Sequence, residues 1–159
     1  MQNRVWIYLS DKTFSEEEEA SIKKDVQFFL NDWNAHGTSL SASYEIVHKH
    51  FIIIKADEEK FSASGCSIDK QVHFIKDTEH KYNLSLLNRL LVAYKTGDEI
   101  KITHSSKIPE LLSSGQMSEN TPVFNVGVGN DTELKNNFEI PLKESWLAKY
   151  LIQDSKIKL

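Results

Sequence analysis

The chain has 159 residues, of which 40% are hydrophobic and 26% charged, and its formal net charge at pH 7 is −4. That length and balance suit a single folded domain, 1–159, with a real core, and they exclude a disordered chain. The acidic balance, with a pI near 5.9, speaks against nucleic-acid binding and against attachment to an anionic membrane, because both call for a basic patch.

The opening residues, MQNRVWIYLS, lack the basic-then-apolar order and the small-residue cleavage site of a signal peptide. No apolar run approaches the length of a membrane span, so no membrane insertion is expected. One cysteine cannot form an internal disulfide, which fits a reducing cytoplasm.

Arg4 to Ser10 is an apolar and aromatic run suited to a buried strand. After a turn, Ser15 reads as a helix N-cap with Glu18 as its capping-box partner. Glu16 to Glu19 fill the first turn, where negative charge complements the helix dipole. Ile22, Val26, Phe29, Leu30 and Trp33 then recur at helical spacing as a core-facing stripe. The helix is expected to end near Asn34 to Gly37.

Ser43 to His48 and His50 to Ala56 read as two strands, joined as a hairpin that lacks a good turn dipeptide. A second helix is expected from about Ser67 to Tyr82, with Ile68, Val72, Ile75 and Tyr82 on its inner face and Asp69, His73, Lys76, Asp77 and His80 on its outer face. Leu86 to Lys95 and Glu99 to His104 read as strands around a turn at Thr96 to Asp98. The order β-α-β-β-α-β is that of a ferredoxin-like α+β layer, with helices on one face of an antiparallel-rich sheet. A C-terminal α/β extension follows. It comprises a short helix from Pro109 to Ser113, an edge strand from Thr121 to Val128 in which Pro122 marks the edge, and a closing helix from Leu142 to Leu151.

The chemistry concentrates in Ser64-Gly65-Cys66-Ser67-Ile68-Asp69. A thiol at a helix start sees the positive end of the dipole, so Cys66 is a candidate nucleophile with His36 as its base. Ser64, Gly65, Ser67 and the helix-start N–H groups form a candidate anion site with Asp69 and Arg89, although Asp69 in the first turn opposes an anion. The plain alternatives are a packed cysteine and a helix capped by Ser67 and Asp69. His48 with His50, and Asp69 with His73, have pairwise metal-ligand spacing but no third and fourth ligand, so no metal is expected.

Leu112 to Gln116, LSSGQ, resembles the signature string of ABC-transporter ATPases, and Phe51 to Glu58 loosely resembles a Walker B strand. The phosphate-cradling G-x-x-x-x-G-K-[ST] loop is missing, which argues against ATPase chemistry.

Trp33 with His36-Gly37, the SGCSID string at Ser64 to Asp69, Arg89, Thr121 to Asn125 and Ser145-Trp146 together resemble a family of short bacterial proteins often labelled ABC transporter ATPases. The resemblance implies no activity. It implies a shared pocket of the His36 turn, the Cys66 loop and Arg89. The leading expectation is thus a cytoplasmic module that binds a small anionic ligand or serves in assembly, with no cofactor. The rivals are a thiol-dependent enzyme built on Cys66 and His36, and a structural homodimer that pairs through an edge strand near Thr121.

Overall fold

The computed structural model describes residues 3–35, 38–39, 41–57 and 65–152. The chain has a mixed α+β fold and divides into two compact units. The first comprises Met1–Asn88 with Val126–Lys135, and the second comprises Arg89–Asn125 with Asn136–Leu159. Among the described residues no helix is long and apolar enough to cross a membrane.

The first unit opens with β1 (Asn3–Leu9) and α1 (Glu16–Asp32). Ser15 caps α1 as its sequence requires: Ser15 Oγ accepts from Glu18 N at 3.1 Å, and Glu18 Oε1 accepts from Ser15 N at 2.9 Å. Two short strands, β2 (Asn34–Ala35) and β3 (Thr38–Ser39), pair after the helix. The hairpin of β4 (Ala42–Val47) and β5 (Phe51–Asp57) follows. Its turn places His48 and Lys49 at φ 54° and 56°, two successive positive values that a tight hairpin needs and that Asn-Gly usually supplies.

β1, β5 and β4 form one antiparallel sheet in the order β1-β5-β4, with Trp6 opposite Ile54 and Tyr44 opposite the same residue from the other side. Phe51 to Ile54 are buried on both faces of this central strand, which explains the unbroken apolar run. The core gathers Tyr8, Ile52, Ile54 and Ala56 from the sheet against Ile22, Val26 and Leu30 from α1 and Ile75 from α2 (Gly65–Tyr82). Each fully buried aliphatic side chain there contributes about 1.5–3 kcal/mol.

α2 departs from its expected inner face. Its buried residues are Ser67, Gln71, Ile75 and Thr78, whereas Ile68, Phe74 and Tyr82 are only partly buried. Beyond α2, Asn83 takes φ 53° and Leu84 N donates to Glu79 O at 3.0 Å, a left-handed helix stop. The N–H groups of Leu86 and Leu87 then donate to Glu79 Oε2 at 2.7 and 3.1 Å. Leu84 and Leu86 enter the first core. The expected strand therefore cannot begin at Leu86, and β6 begins at Leu91.

The second unit holds β6 (Leu91–Thr96), β7 (Glu99–His104), α3 (Ile108–Ser113), β8 (Pro122–Phe124) and, after α4 (Asp131–Asn137) has carried the chain back from the first unit, β9 (Glu139–Pro141). Its sheet has the order β7-β6-β8-β9. The strands of the ferredoxin-like reading are thus divided between two sheets. The first three strands share one antiparallel sheet, whereas β6 pairs with β7 and β8 in the other. Beside β1, Val5 N instead donates to Gly129 O at 2.9 Å, and Arg4 bridges Asn130.

Two further expectations are corrected. β8 is no edge strand, because β6 and β9 flank it; Pro122 is tolerated as the first residue of a three-residue strand. The closing helix is broken: two 3-10 turns, Leu142–Glu144 and Trp146–Ala148, come first, and α-helix follows only over 149–152. Ser145 interrupts the two turns in an extended conformation, and its hydroxyl accepts from Leu147 N at 3.1 Å and donates to Leu142 O at 2.7 Å.

Candidate functional site

α1 and α2 lie antiparallel, and polar contacts tie them at both ends. At one end the indole N–H of Trp33 donates to Ser67 O at 2.9 Å. At the other end Ser21 Oγ donates to the Tyr82 hydroxyl at 2.6 Å, and that hydroxyl donates to Asp25 Oδ2 at 2.5 Å. Lys81 Nζ adds bonds to both Asp25 oxygens, at 3.1 and 2.9 Å.

Between these ties the helices leave an open groove of about 750 Å³. Its floor is aromatic: Phe29 stacks on Phe74 with centroids 4.5 Å apart, and on Trp33 at 5.7 Å. Trp6 meets Trp33 edge-on at 5.8 Å and fixes that indole from beneath. Phe28, at the rim, is 73% exposed, the most exposed large hydrophobic residue among those described.

The rest of the rim is charged, and carboxylates outnumber ammonium groups four to two. Asp25, Asp32, Asp69 and Asp77 stand against Lys70 and Lys81, with His73 between. Lys81 pairs with Asp25 at 2.9 Å, whereas no ion pair among the described residues engages Asp32, Asp69 or Asp77. The Asp25 carboxylate holds Lys81 above its ordinary pKa, against a smaller opposing effect of burial. Burial, and then the bond to Asp25, push Tyr82 above its ordinary value as well.

The expected site residues fall in different places. Cys66 and Gly65 are exposed on the first turn of α2. A Cβ on Gly65 would meet nothing among the described residues within 4 Å. Ser67 is buried, and its carbonyl is spent on Trp33. Asp69 lines the groove one turn further on, together with His73. Arg89 is exposed at the start of the second unit. His36 and Ser64 lie outside the described residues. The structure therefore brings Asp69 together with His73 and Trp33 on one surface, and that surface is aromatic and acidic.

His50, which closes the hairpin turn, is buried. Its ring bonds the His48 carbonyl through Nδ1 at 2.9 Å and the Thr13 hydroxyl through Nε2 at 3.1 Å, so both nitrogens have protein partners. Among the described residues no group of three or more His, Cys, Asp or Glu side chains is placed to hold a metal ion.

The sequence reading missed Phe28, Phe74, Asp25 and Asp32, and it placed Asp77 on the outer face of α2 without assigning it to a site. One signal was available. At about 100° per residue, Phe28 falls on the side of Phe29 away from Leu30 and so lies outside the stripe of Ile22, Val26, Phe29, Leu30 and Trp33. No family model matches the chain, and neither a curated protein nor a solved structure does.

Proposed function

We propose that the protein is a binding module whose working surface is the groove between α1 and α2. The observation that carries this reading is Phe28, a large apolar side chain left in water beside a stacked aromatic floor, where a core-forming residue would be covered. Aromatic rings under a ring of carboxylates favour a ligand with an apolar body and a positive charge, since cations are attracted both to carboxylates and to ring faces. The preference is opposite in sign to the anionic ligand expected from the Cys66 loop. Asp69, counted there as an anion-site residue, belongs to the acidic rim.

The test is a titration of the ¹⁵N-labelled protein with benzyltrimethylammonium, which combines a ring with a fixed positive charge. Amide shifts confined to residues 25–33 and 69–81 are expected at about 10 mM, the range of a ligand this small. Binding elsewhere, or silence of both helices, overturns the reading. The thiol-enzyme alternative draws support from the exposure of Cys66; alkylation of that thiol beforehand would leave the titration unchanged under the groove reading.

A further inference from the structure

The groove is long and open, and its polar groups stand along its rim. From Asp25 to Trp33, α1 advances eight residues, or about 12 Å, and from Asp69 to Lys81, α2 advances twelve, or about 18 Å. Two to three turns of a third helix have that length. A small-molecule site needs convergent polar groups within it. Here the floor is Phe29, Trp33 and Phe74, and the hydroxyl of buried Thr78 is spent on the Phe74 carbonyl at 2.9 Å. The charges run in two rows, Asp25 and Asp32 along α1, and Asp69 and Asp77 along α2. Seven or eight residues separate the members of each row, which is two helical turns.

We infer that the groove takes a short amphipathic helix with a basic outer face, supplied by another protein, its apolar side on the aromatic floor and its lysines or arginines along both rims. This rests on the reading of the groove as the binding surface. An apolar stripe at i, i+3, i+4 and i+7 would lie along the floor between α1 and α2. Cations beside that stripe would meet Asp32, Asp69 and Asp77. Phe28, standing free at the rim, would close over one side of the incoming helix. An acidic helix would meet the carboxylates of Asp32, Asp69 and Asp77 and be disfavoured, so the rim sets specificity as well as attraction.

The experiment compares three synthetic peptides of twelve residues by fluorescence anisotropy. One has leucines at the helical stripe and lysines elsewhere, the second replaces the lysines by glutamates, and the third scrambles the first. The patterned basic peptide is expected to bind at least about tenfold more tightly than either control at low salt, with the margin shrinking at high salt. Phe28→Ala and the triple variant Asp32→Asn, Asp69→Asn, Asp77→Asn are each expected to weaken it severalfold; all four side chains are exposed, so the variants keep the fold. Equal binding of the scrambled peptide would mean general charge attraction and would overturn the proposal. Failure of the basic peptide while benzyltrimethylammonium still shifts both helices would overturn the helical partner but leave the groove reading intact. Failure of both would remove both. A concentration-dependent dimer broken by Phe28→Ala would make a second copy the occupant and would likewise overturn the proposal.

Discussion

α1 and α2 have similar lengths, flank the same groove and face the same core, yet they are built differently. α1 buries Ile22, Val26 and Leu30, and Trp33 follows as its cap. α2 buries Ser67, Gln71, Ile75 and Thr78, three of which are polar. Its other apolar residues are turned aside: Phe74 reaches the groove floor, and Ile68 and Tyr82 pack only partly. The first helix directs most of its apolar stripe into the core and leaves only Phe28 and Phe29 to the groove. The second spends part of its apolar surface beside the core, which is why a groove exists between them. A helix that spent everything inward would leave nothing for a partner to cover.

The comparison breaks most visibly in stability. Ile22 is fully buried, so Ile22→Ala should cost about 3 kcal/mol, the sum of lost transfer energy and a residual cavity. Urea denaturation followed by circular dichroism measures it; a cost within about 1 kcal/mol would mean that α1 is not the anchoring helix.

The tie between the helices gives the next effect. Tyr82 and Lys81 both have pKa values raised in the folded protein, Tyr82 by burial and then Asp25, and Lys81 chiefly by Asp25. Each group holds its proton more tightly when folded. The associated stability is present below the unfolded pKa values and is lost as pH rises from about 10 through the folded ones. Melting temperature should therefore fall over that alkaline range. Asp25→Asn should flatten the fall, because it removes the largest cause for Lys81 and the second for Tyr82. An unchanged alkaline profile in that variant would show that the tie does not carry the effect.

The same contrast explains what the sequence could reveal. α1 was legible because its signals agree: a capping box at Ser15 and Glu18, an acidic first turn and an apolar stripe. In α2 the apolar residues marked a face rotated away from the buried one. Periodicity counts apolar side chains and cannot register a buried Gln71 that accepts from the Tyr8 hydroxyl. The β4–β5 hairpin was legible from β-branched and aromatic content, although its turn takes positive φ at His48 and Lys49 rather than at Asn-Gly. Sheet membership was not legible. The local strand signal at Leu91–Thr96 is correct, but its partners, β7 and β8, are fixed by pairings as remote as Tyr94 with Val123. Of the site, Asp69, His73 and Trp33 were singled out, and the acidic aromatic surface they share was not. That surface depends on which way two helices turn.

A smaller effect separates polar burial from apolar burial. Gln71 is fully buried, and among the described residues its Nε2 has no hydrogen-bond partner. An orphaned buried donor costs about 1–3 kcal/mol, while the hydrogen bond from Tyr8 returns about 1 kcal/mol. In the double variant Tyr8→Phe, Gln71→Met both contributions vanish and the volume is nearly kept, so stability should stay within about 1 kcal/mol of the parent. A loss as large as that of Ile22→Ala would mean that Gln71 organises the core through its amide. The inward face of α2 would then anchor the fold no less than that of α1.

The smallest effect belongs to Cys66. It sits on the first turn of α2, exposed, with Gly65 exposed before it, and it belongs to neither core cluster among the described residues. Cys66→Ser should change stability by no more than about 0.5 kcal/mol, as for surface substitutions generally. It should also leave the groove's affinity for the basic peptide unchanged. Iodoacetamide should alkylate Cys66 in the native protein within about threefold of the unfolded rate at neutral pH, since exposure removes the steric barrier while thiolate content sets the rest. A native rate far above the unfolded one would reveal an activated thiolate. The start of α2 would then be a second chemical centre, a turn away from Asp69, and the groove would have to be read as the place where that thiol's substrate is held.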